Sequence, residues 1–149
     1  MADNLSELLA PFPFVKVLPV QWGDQDAINH VNNVVYFRWF ESARIHYFEG
    51  IRAYDVLYSQ SLGAILASIN CDYRHQLRYP DMVHVGSRIV HIGNSSLQME
   101  HQVISEKDGI IAAEAKSTIV VFNHKENKSC RIPDKVRSAI SKIEGRDFE

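Results

Sequence analysis

The alternation of hydrophobic and polar residues changes its period along the chain. Residues 14–20 (FVKVLPV) are rich in β-branched side chains and alternate, which predicts a strand that ends at or near Pro19. Residues 34–49 follow a pair of asparagines suited to cap a helix and carry apolar side chains around most of the helical circumference. They are predicted to form a long, largely enclosed helix, with Gly50 as the C′ glycine that ends it.

The second half of the chain has the alternation of an antiparallel sheet. In residues 110–122, apolar side chains on one face alternate with Glu114, Lys116 and Thr118 on the other. Turn sequences such as Tyr79-Pro80-Asp81 separate similar segments, so four consecutive strands are expected to form a meander. These predicted strands are 62–77, 82–92, 96–105 and 110–122.

The flanking segments complete an α+β arrangement. A shorter helix is predicted over residues 51–59 and a last helix over 133–143. Residues 1–13 are expected to be a lead-in without regular helix, because two prolines interrupt them. An antiparallel sheet wrapped around one long apolar helix buries both elements. The 149 residues are therefore expected to fold as one domain, with its core at about 14–140.

Charge and cysteine content narrow the function classes. A net charge of −2 leaves no basic excess to neutralise many phosphates, so nucleic-acid binding is not expected. Cys71 and Cys130 are far apart and form no C-x-x-C pair, which favours a reducing compartment over a disulfide scaffold or zinc site. The sequence shows neither a leader pattern nor an apolar run long enough for a membrane span. A cytoplasmic protein without metal or cofactor is expected.

The polar segment just before the long helix is the best candidate for chemistry. It contains Asp24, Asp26, His30, Asn32 and Asn33. The start of a helix exposes unpaired amides, which polarise a carbonyl and stabilise the oxyanion formed when that carbonyl is attacked. A nearby carboxylate can attack the carbonyl or activate a water. The pattern thus predicts an acyl-transfer site, and helix capping alone is the competing interpretation.

Residues 22–26 (WGDQD) and 30–44 (HVNNVVYFRWFESAR) resemble the signature of the 4-hydroxybenzoyl-CoA thioesterase family of hot-dog proteins. Residues 80–85 (PDMVHV) and 93–100 (GNSSLQME) are similar to strand sequences of that family. The resemblance covers about residues 14–140. It implies the hot-dog fold, in which an antiparallel sheet wraps around one long central helix.

The resemblance also implies an acyl-CoA thioesterase, which hydrolyses a thioester to a free acid and CoA. By position in the motif, Asp26 is the catalytic carboxylate, as nucleophile or general base, with Asp24 as the weaker alternative. The amide near Asn33 polarises the carbonyl. Family members are usually dimers with sheets joined edge to edge, and many are tetramers, so a homodimer or homotetramer is expected. The predicted substrate contacts are His30, Asn32, Tyr36, Phe37 and Phe40.

Several alternatives stay open at this stage. A non-catalytic acyl-CoA-binding or regulatory module on the same fold is the main rival to an enzyme. The acyl group is undetermined, and so is the carrier, which is CoA or acyl carrier protein. Asn32 is better explained as the N-cap than as a ligand, and His30 is equally well explained as a residue that caps the loop. Arg74, Arg78 and Arg88 are candidates for contacts to CoA phosphates, with a solvated surface role as the simpler interpretation.

Overall fold

The computed structural model describes residues 2–148. Four helices, six strands and one short 3₁₀ turn follow one another along this part of the chain. They are α1 (Ala2–Leu9), β1 (Phe14–Pro19), the 3₁₀ turn (Trp22–Asp24), α2 (Asn33–Gly50), α3 (Ala53–Ser59), β2 (Leu62–Tyr73), β3 (Met82–Ile92), β4 (Ser96–Ser105), β5 (Ile110–Asn123), β6 (Lys128–Ser129) and α4 (Asp134–Glu144).

All strand pairs are antiparallel, and the order across the sheet is β1-β3-β4-β5-β2, with β6 added to the end of β5. The meander is therefore formed by β3, β4 and β5 alone, and the prediction that β2 continues it is wrong. β2 ends at Tyr73 because the backbone amides of Arg74 and His75 both turn to the carbonyl of Ala112. The following residues cross beneath the start of α2, where Leu77 accepts a bond from Val31, before β3 begins.

The sheet curls around α2, as predicted for an α+β domain. Phe40 and Tyr47 are 0% exposed, and they belong to two packed clusters that fill the two ends of the curl. The predicted alternation in β5 is confirmed from Ala113 onward, since Ala113, Ala115, Ile119 and Val121 are buried whereas Glu114, Lys116 and Thr118 are not. It fails at Ile111, because a register shift against β4 puts Ala112 in the core instead. The concave face thus holds the core and the outer face is polar.

The lead-in does contain a helix, contrary to prediction. α1 ends at Leu9, two residues before Pro11. Proline prevents a helix from continuing through it and disfavours helix at the residue before it, but it does not prevent a helix that stops earlier. Phe12 then packs on the outer face of the sheet, where a side chain at Gly86 would collide with its ring.

Gly50 is not the C′ residue that was predicted to follow the long helix. It lies inside α2, and the left-handed residue that follows the helix is Arg52, with φ 58°. A Cβ at Gly50 would lie 2.2 Å from the Phe14 ring. The glycine is therefore required by the close approach of β1 to the end of α2.

The Gly50→Ala variant is expected to lose about 1–3 kcal/mol of unfolding free energy, the usual cost of overpacking. Phe14 has little room to yield, because it contacts the rings of His46 and Tyr47. Urea denaturation measures the loss. The control is Gly23→Ala, since a Cβ at Gly23 meets nothing within 4 Å. Equal stability of the two variants would contradict the packing role.

No helix within residues 2–148 is both long enough and apolar enough to cross a membrane.

Candidate active site

The loop before α2 is held in shape by Asp24. This residue is 7% exposed, and its carboxylate accepts a bond from the backbone N–H of Gln21 at 2.8 Å. Its own carbonyl accepts the N–H of Asn32 at 2.9 Å. Asp24 is thus buried and helps to fix the loop, whereas Asp26 is exposed and is the more accessible acid of the pair.

The carboxylate of Asp26 is fixed by one oxygen. Oδ1 accepts the backbone N–H of Ile28 at 3.0 Å and that of His30 at 3.4 Å. The Asp26 N–H donates to the His30 carbonyl at 2.9 Å, and Asn29 turns the chain with φ 63°. Oδ2 has no hydrogen-bond partner among the described residues. The loop therefore orients the side chain and leaves one oxygen for chemistry.

The cap of α2 leaves one backbone amide unpaired. The Asn32 side chain accepts the Val34 N–H at 3.0 Å, and the Asn32 carbonyl accepts the Val35 N–H at 3.0 Å. The Asn33 N–H has no acceptor within residues 2–148. Because the first-turn amides lie at the positive end of the helix dipole, this N–H is a suitable donor for a developing oxyanion.

Asp26 and Asn33 line the same cleft, which has a volume of about 360 Å³. His30 and Tyr36, two of the predicted substrate contacts, line it as well. Asn32 does not, since its side chain caps the helix. The other lining residues are Ile28, Val31, Tyr73, Arg74, His75 and Gln76.

Two tyrosines form the inner wall of the cleft. Tyr36 is 3% exposed, and burial raises its pKa to about 12, so its phenol stays protonated at neutral pH. The ring of Tyr73 meets that of Tyr36 edge-on, with centroids 5.0 Å apart. The Tyr73 hydroxyl donates to the Asn33 carbonyl at 3.3 Å and so holds the first turn of α2.

The sequence offered no signal for Tyr73, because an aromatic residue at the end of a strand is common in any sheet. It enters the site only because β2 ends against the start of α2.

The ring of His30 is oriented by an arginine that follows β2. Arg78 Nη2 lies 3.1 Å from His30 Nε2. A guanidinium can only donate, so His30 faces Arg78 through Nε2. His30 Nδ1 is buried without a partner among the described residues, so the contact to Arg78 is what fixes the ring at the cleft wall.

The predicted aromatic contacts Phe37 and Phe40 do not line this cleft. Phe40 is fully buried and stacks on the ring of His101, with centroids 5.4 Å apart, so it belongs to the core. Phe37 is 38% exposed on the outer side of α2. The two rings still meet edge-on, with centroids 6.2 Å apart, because residues three apart are neighbours on a helix surface. Phe40 lies in the middle of the buried side of α2, and Phe37 lies at its exposed margin.

In residues 2–148, no three His, Cys, Asp or Glu side chains come together in a way that would hold a metal ion. The carboxylates near the cleft bind other protein groups, as Asp108 does to His75 at 3.0 Å.

Comparisons with known proteins identify the family and the fold. The model of the thioesterase-like superfamily matches residues 20–140. A thioesterase from Thermus thermophilus, solved in complex with coenzyme A and Zn, superposes with a TM-score of 0.80 at 32% identity, covering 91% of this chain and 97% of that one. The PA2801 protein of Pseudomonas aeruginosa, described as a putative thioesterase, gives a TM-score of 0.77 at 31% identity, with coverage of 87% and 98%.

Among characterised proteins, the long-chain acyl-CoA thioesterase FadM of Escherichia coli K12 is 22% identical over 118 residues, which span 79% of this chain and 89% of FadM. These likenesses confirm the hot-dog fold, with a curled antiparallel sheet and a central helix. The chain belongs to the thioesterase-like superfamily of hot-dog proteins.

Proposed function

We propose that this protein is an acyl-CoA thioesterase in which Asp26 and the Asn33 amide act on the same thioester carbonyl. The observation that carries this proposal is their pairing in one cleft. The Asp26 carboxylate has an oxygen without a partner among the described residues, and the Asn33 N–H is the amide that the cap leaves unpaired. A base or nucleophile beside a preorganised oxyanion donor is what acyl transfer requires.

The reaction follows from this placement. The thioester carbonyl oxygen accepts the Asn33 N–H, which draws electron density from the carbonyl carbon. Asp26 Oδ2 then attacks that carbon, or removes a proton from a water that attacks it. In either case the oxyanion rests on the helix terminus until the C–S bond breaks and CoA leaves as a thiolate, which takes up a proton. Along the nucleophilic route, water afterwards hydrolyses the acyl-aspartyl anhydride.

A second copy of the chain would complete the acyl pocket. β2 lies at the edge of the sheet and exposes Ile65 (41%) and Leu66 (38%). Val34 (63%) and Phe37 are exposed on the adjoining α2. Apolar side chains on an unpaired edge strand favour pairing with another strand. We therefore assign a homodimer joined through the β2 edges, with Phe37 facing the acyl group at the interface.

The Ile65→Lys variant is expected to sediment as a monomer at concentrations where the unchanged protein is a dimer. A lysine on an edge strand opposes edge-to-edge pairing, because its charge has to be desolvated. Analytical ultracentrifugation measures the change. Ile143→Lys on α4 is the matched control, since Ile143 is 39% exposed and lies on an element that is not part of the β2 edge. Dimers of the Ile65→Lys variant would contradict the interface.

The activity is tested by release of free thiol from a panel of acyl-CoA thioesters. Benzoyl-CoA and 4-hydroxybenzoyl-CoA represent the branch that the motif resembles, and palmitoyl-CoA represents the long-chain activity named for FadM. Butyryl-CoA and octanoyl-CoA cover intermediate lengths. Release above the uncatalysed rate with at least one of them supports the proposal. Binding of acyl-CoA without release from any of them would contradict it.

A further inference from the structure

A second cleft adjoins the one that holds Asp26. It has a volume of about 370 Å³ and shares His75 and Gln76 with the first. The residues of its own are Arg78, Asp81, Lys107 and Asp108. Two segments distant in sequence meet here, the crossing after β2 and the hairpin between β4 and β5. The two clefts therefore adjoin at the segment that contains His75 and Gln76.

The acids of this second cleft are occupied by the protein. Asp81 Oδ1 accepts the backbone N–H groups of Met82 and Lys107, at 2.8 and 3.0 Å, and its Oδ2 accepts the Ser105 hydroxyl. Asp108 Oδ2 lies 3.0 Å from His75 Nε2. Three of these four carboxylate oxygens are therefore engaged in fixing the two loops, and the acids hold the cleft in shape.

The two long cationic side chains of this cleft, those of Arg78 and Lys107, are not paired in the way that its acids are. Neither Arg78 nor Lys107 forms an ion pair with any of the described residues. Within residues 2–148, the side-chain contact of Arg78 is to the His30 ring, which carries no negative charge to compensate the guanidinium. Both side chains are exposed, so their donors are accessible to an anion.

The other arginines of this region are already compensated. Arg74 binds Glu114 at 3.1 Å and lies 3.6 Å from Asp72. Arg88 binds Glu100 at 2.8 Å and lies over the Phe12 ring. Of the three arginines that the sequence offered as phosphate contacts, only Arg78 is left without a carboxylate among the described residues.

We infer that Arg78 and Lys107 form a phosphate-binding subsite, which takes the phosphates of CoA while the thioester lies in the cleft of Asp26. This inference rests on the proposed function and adds the residues that hold the phosphates of the carrier. Guanidinium and ammonium groups bind phosphate oxygens through charge-assisted hydrogen bonds. The phosphates lie at the far end of the pantetheine arm from the sulfur, which matches a cationic cleft beside the reactive one. The subsite favours CoA, whose diphosphate and 3′-phosphate carry more negative charge than the phosphodiester that links phosphopantetheine to an acyl carrier protein.

The test compares thioesters of one acyl group on three carriers, CoA, 3′-dephospho-CoA and pantetheine, with the full-length protein. For Arg78→Gln and Lys107→Gln, we expect KM for acyl-CoA to rise about fivefold each, with kcat within a factor of two. The advantage of CoA over pantetheine, measured as the ratio of kcat/KM values, should fall by the same factor. Added salt should narrow the difference, because it screens exposed charges. If only one variant also loses the distinction between CoA and 3′-dephospho-CoA, that residue contacts the 3′-phosphate.

Lys125→Gln is the matched control, because it makes the same charge change at the other end of β5 and should retain the full preference for CoA. An unchanged KM and CoA preference in both variants would overturn the subsite. The subsite would also be overturned if these variants lost activity on an acyl carrier protein thioester but kept their activity on acyl-CoA. Failure of the proposed function can be distinguished from failure of the subsite, because in the first case the unchanged protein hydrolyses none of the three thioesters.

Discussion

The Asp26→Asn variant is expected to hydrolyse acyl-CoA about 100-fold more slowly than the unchanged protein, the usual scale for loss of a general base. The amide cannot remove a proton from water and is a poor nucleophile. Its oxygen still accepts bonds, so the contacts to Ile28 and His30 are retained and the loop keeps its shape. Steady-state thiol release measures the effect, and circular dichroism with thermal unfolding verifies the fold.

Asp24→Asn is the matched control, because the same change is made two residues earlier on a carboxylate that only accepts the Gln21 N–H. It should reduce stability slightly and turnover by less than about threefold. If turnover of Asp26→Asn stays within a factor of two of the unchanged protein, Asp26 is not the catalytic acid. A large loss in Asp24→Asn alone would transfer the role to Asp24.

The second large effect concerns a histidine that the reaction does not use. His101 is 1% exposed, and Ser87 Oγ lies 2.8 Å from its Nδ1. Burial lowers the pKa of His101 from 6.5 to about 3, with a smaller contribution from the positive charge of Arg44. The folded protein therefore keeps this ring neutral, whereas the unfolded chain binds a proton at a pKa near 6.5.

The consequence is a loss of stability in acid. Above pH 6.5 neither state binds the proton and the stability is fully present. As the pH falls from 6.5 towards 3, protonation favours the unfolded chain, by about 1.4 kcal/mol per pH unit. The full loss is on the order of 5 kcal/mol, a large part of the stability of an ordinary domain. Urea denaturation at a series of pH values measures the slope.

The double variant Ser87→Ala/His101→Leu is expected to flatten this slope between pH 6.5 and about 4. It removes both hydrogen-bonding partners together, so no buried polar group of the pair is left unpaired. The control is His91→Gln, since His91 is exposed and its replacement should leave the slope unchanged. The same slope in the double variant would show that carboxylates, and not His101, govern the acid response.

The local sequence contained much of the candidate site. Asp26, His30 and the cap of α2 lie within a few residues of one another, and hydrogen bonds between near neighbours fix their geometry. Such bonds depend on turn and cap chemistry, which is readable from residue type. The separation of roles between Asp24 and Asp26 was predicted from the family resemblance, and the structure adds a reason to expect it, since Asp24 is buried in the loop whereas Asp26 is exposed.

The hydrophobic pattern of the sequence could not predict which strands pair with one another. Alternation predicts that a segment is a strand, but it does not say which strand lies next to it. The pairing of β2 with β5 depends on contacts throughout the sheet. As a result of this pairing, Tyr73 contacts Asn33 and Arg78 contacts His30, although the partners are 40 and 48 residues apart in the sequence. Phe40 was predicted to contact the substrate but lies in the core, because its surroundings depend on which side of α2 the sheet covers.

By itself, the sequence determined the α+β content and the bounds of the long helix to within a residue or two. It also placed an acid, Asp26, and the first backbone amide of the helix, that of Asn33, within a few residues of each other. Each of these features depends on interactions over a short stretch of chain. The tertiary structure decided which strands are neighbours, which of Arg74, Arg78 and Arg88 is left without a carboxylate within residues 2–148, and that His101 is buried as a neutral ring. These depend on contacts between residues far apart in the chain, where burial and the competition for partners are settled only when the sheet closes around α2.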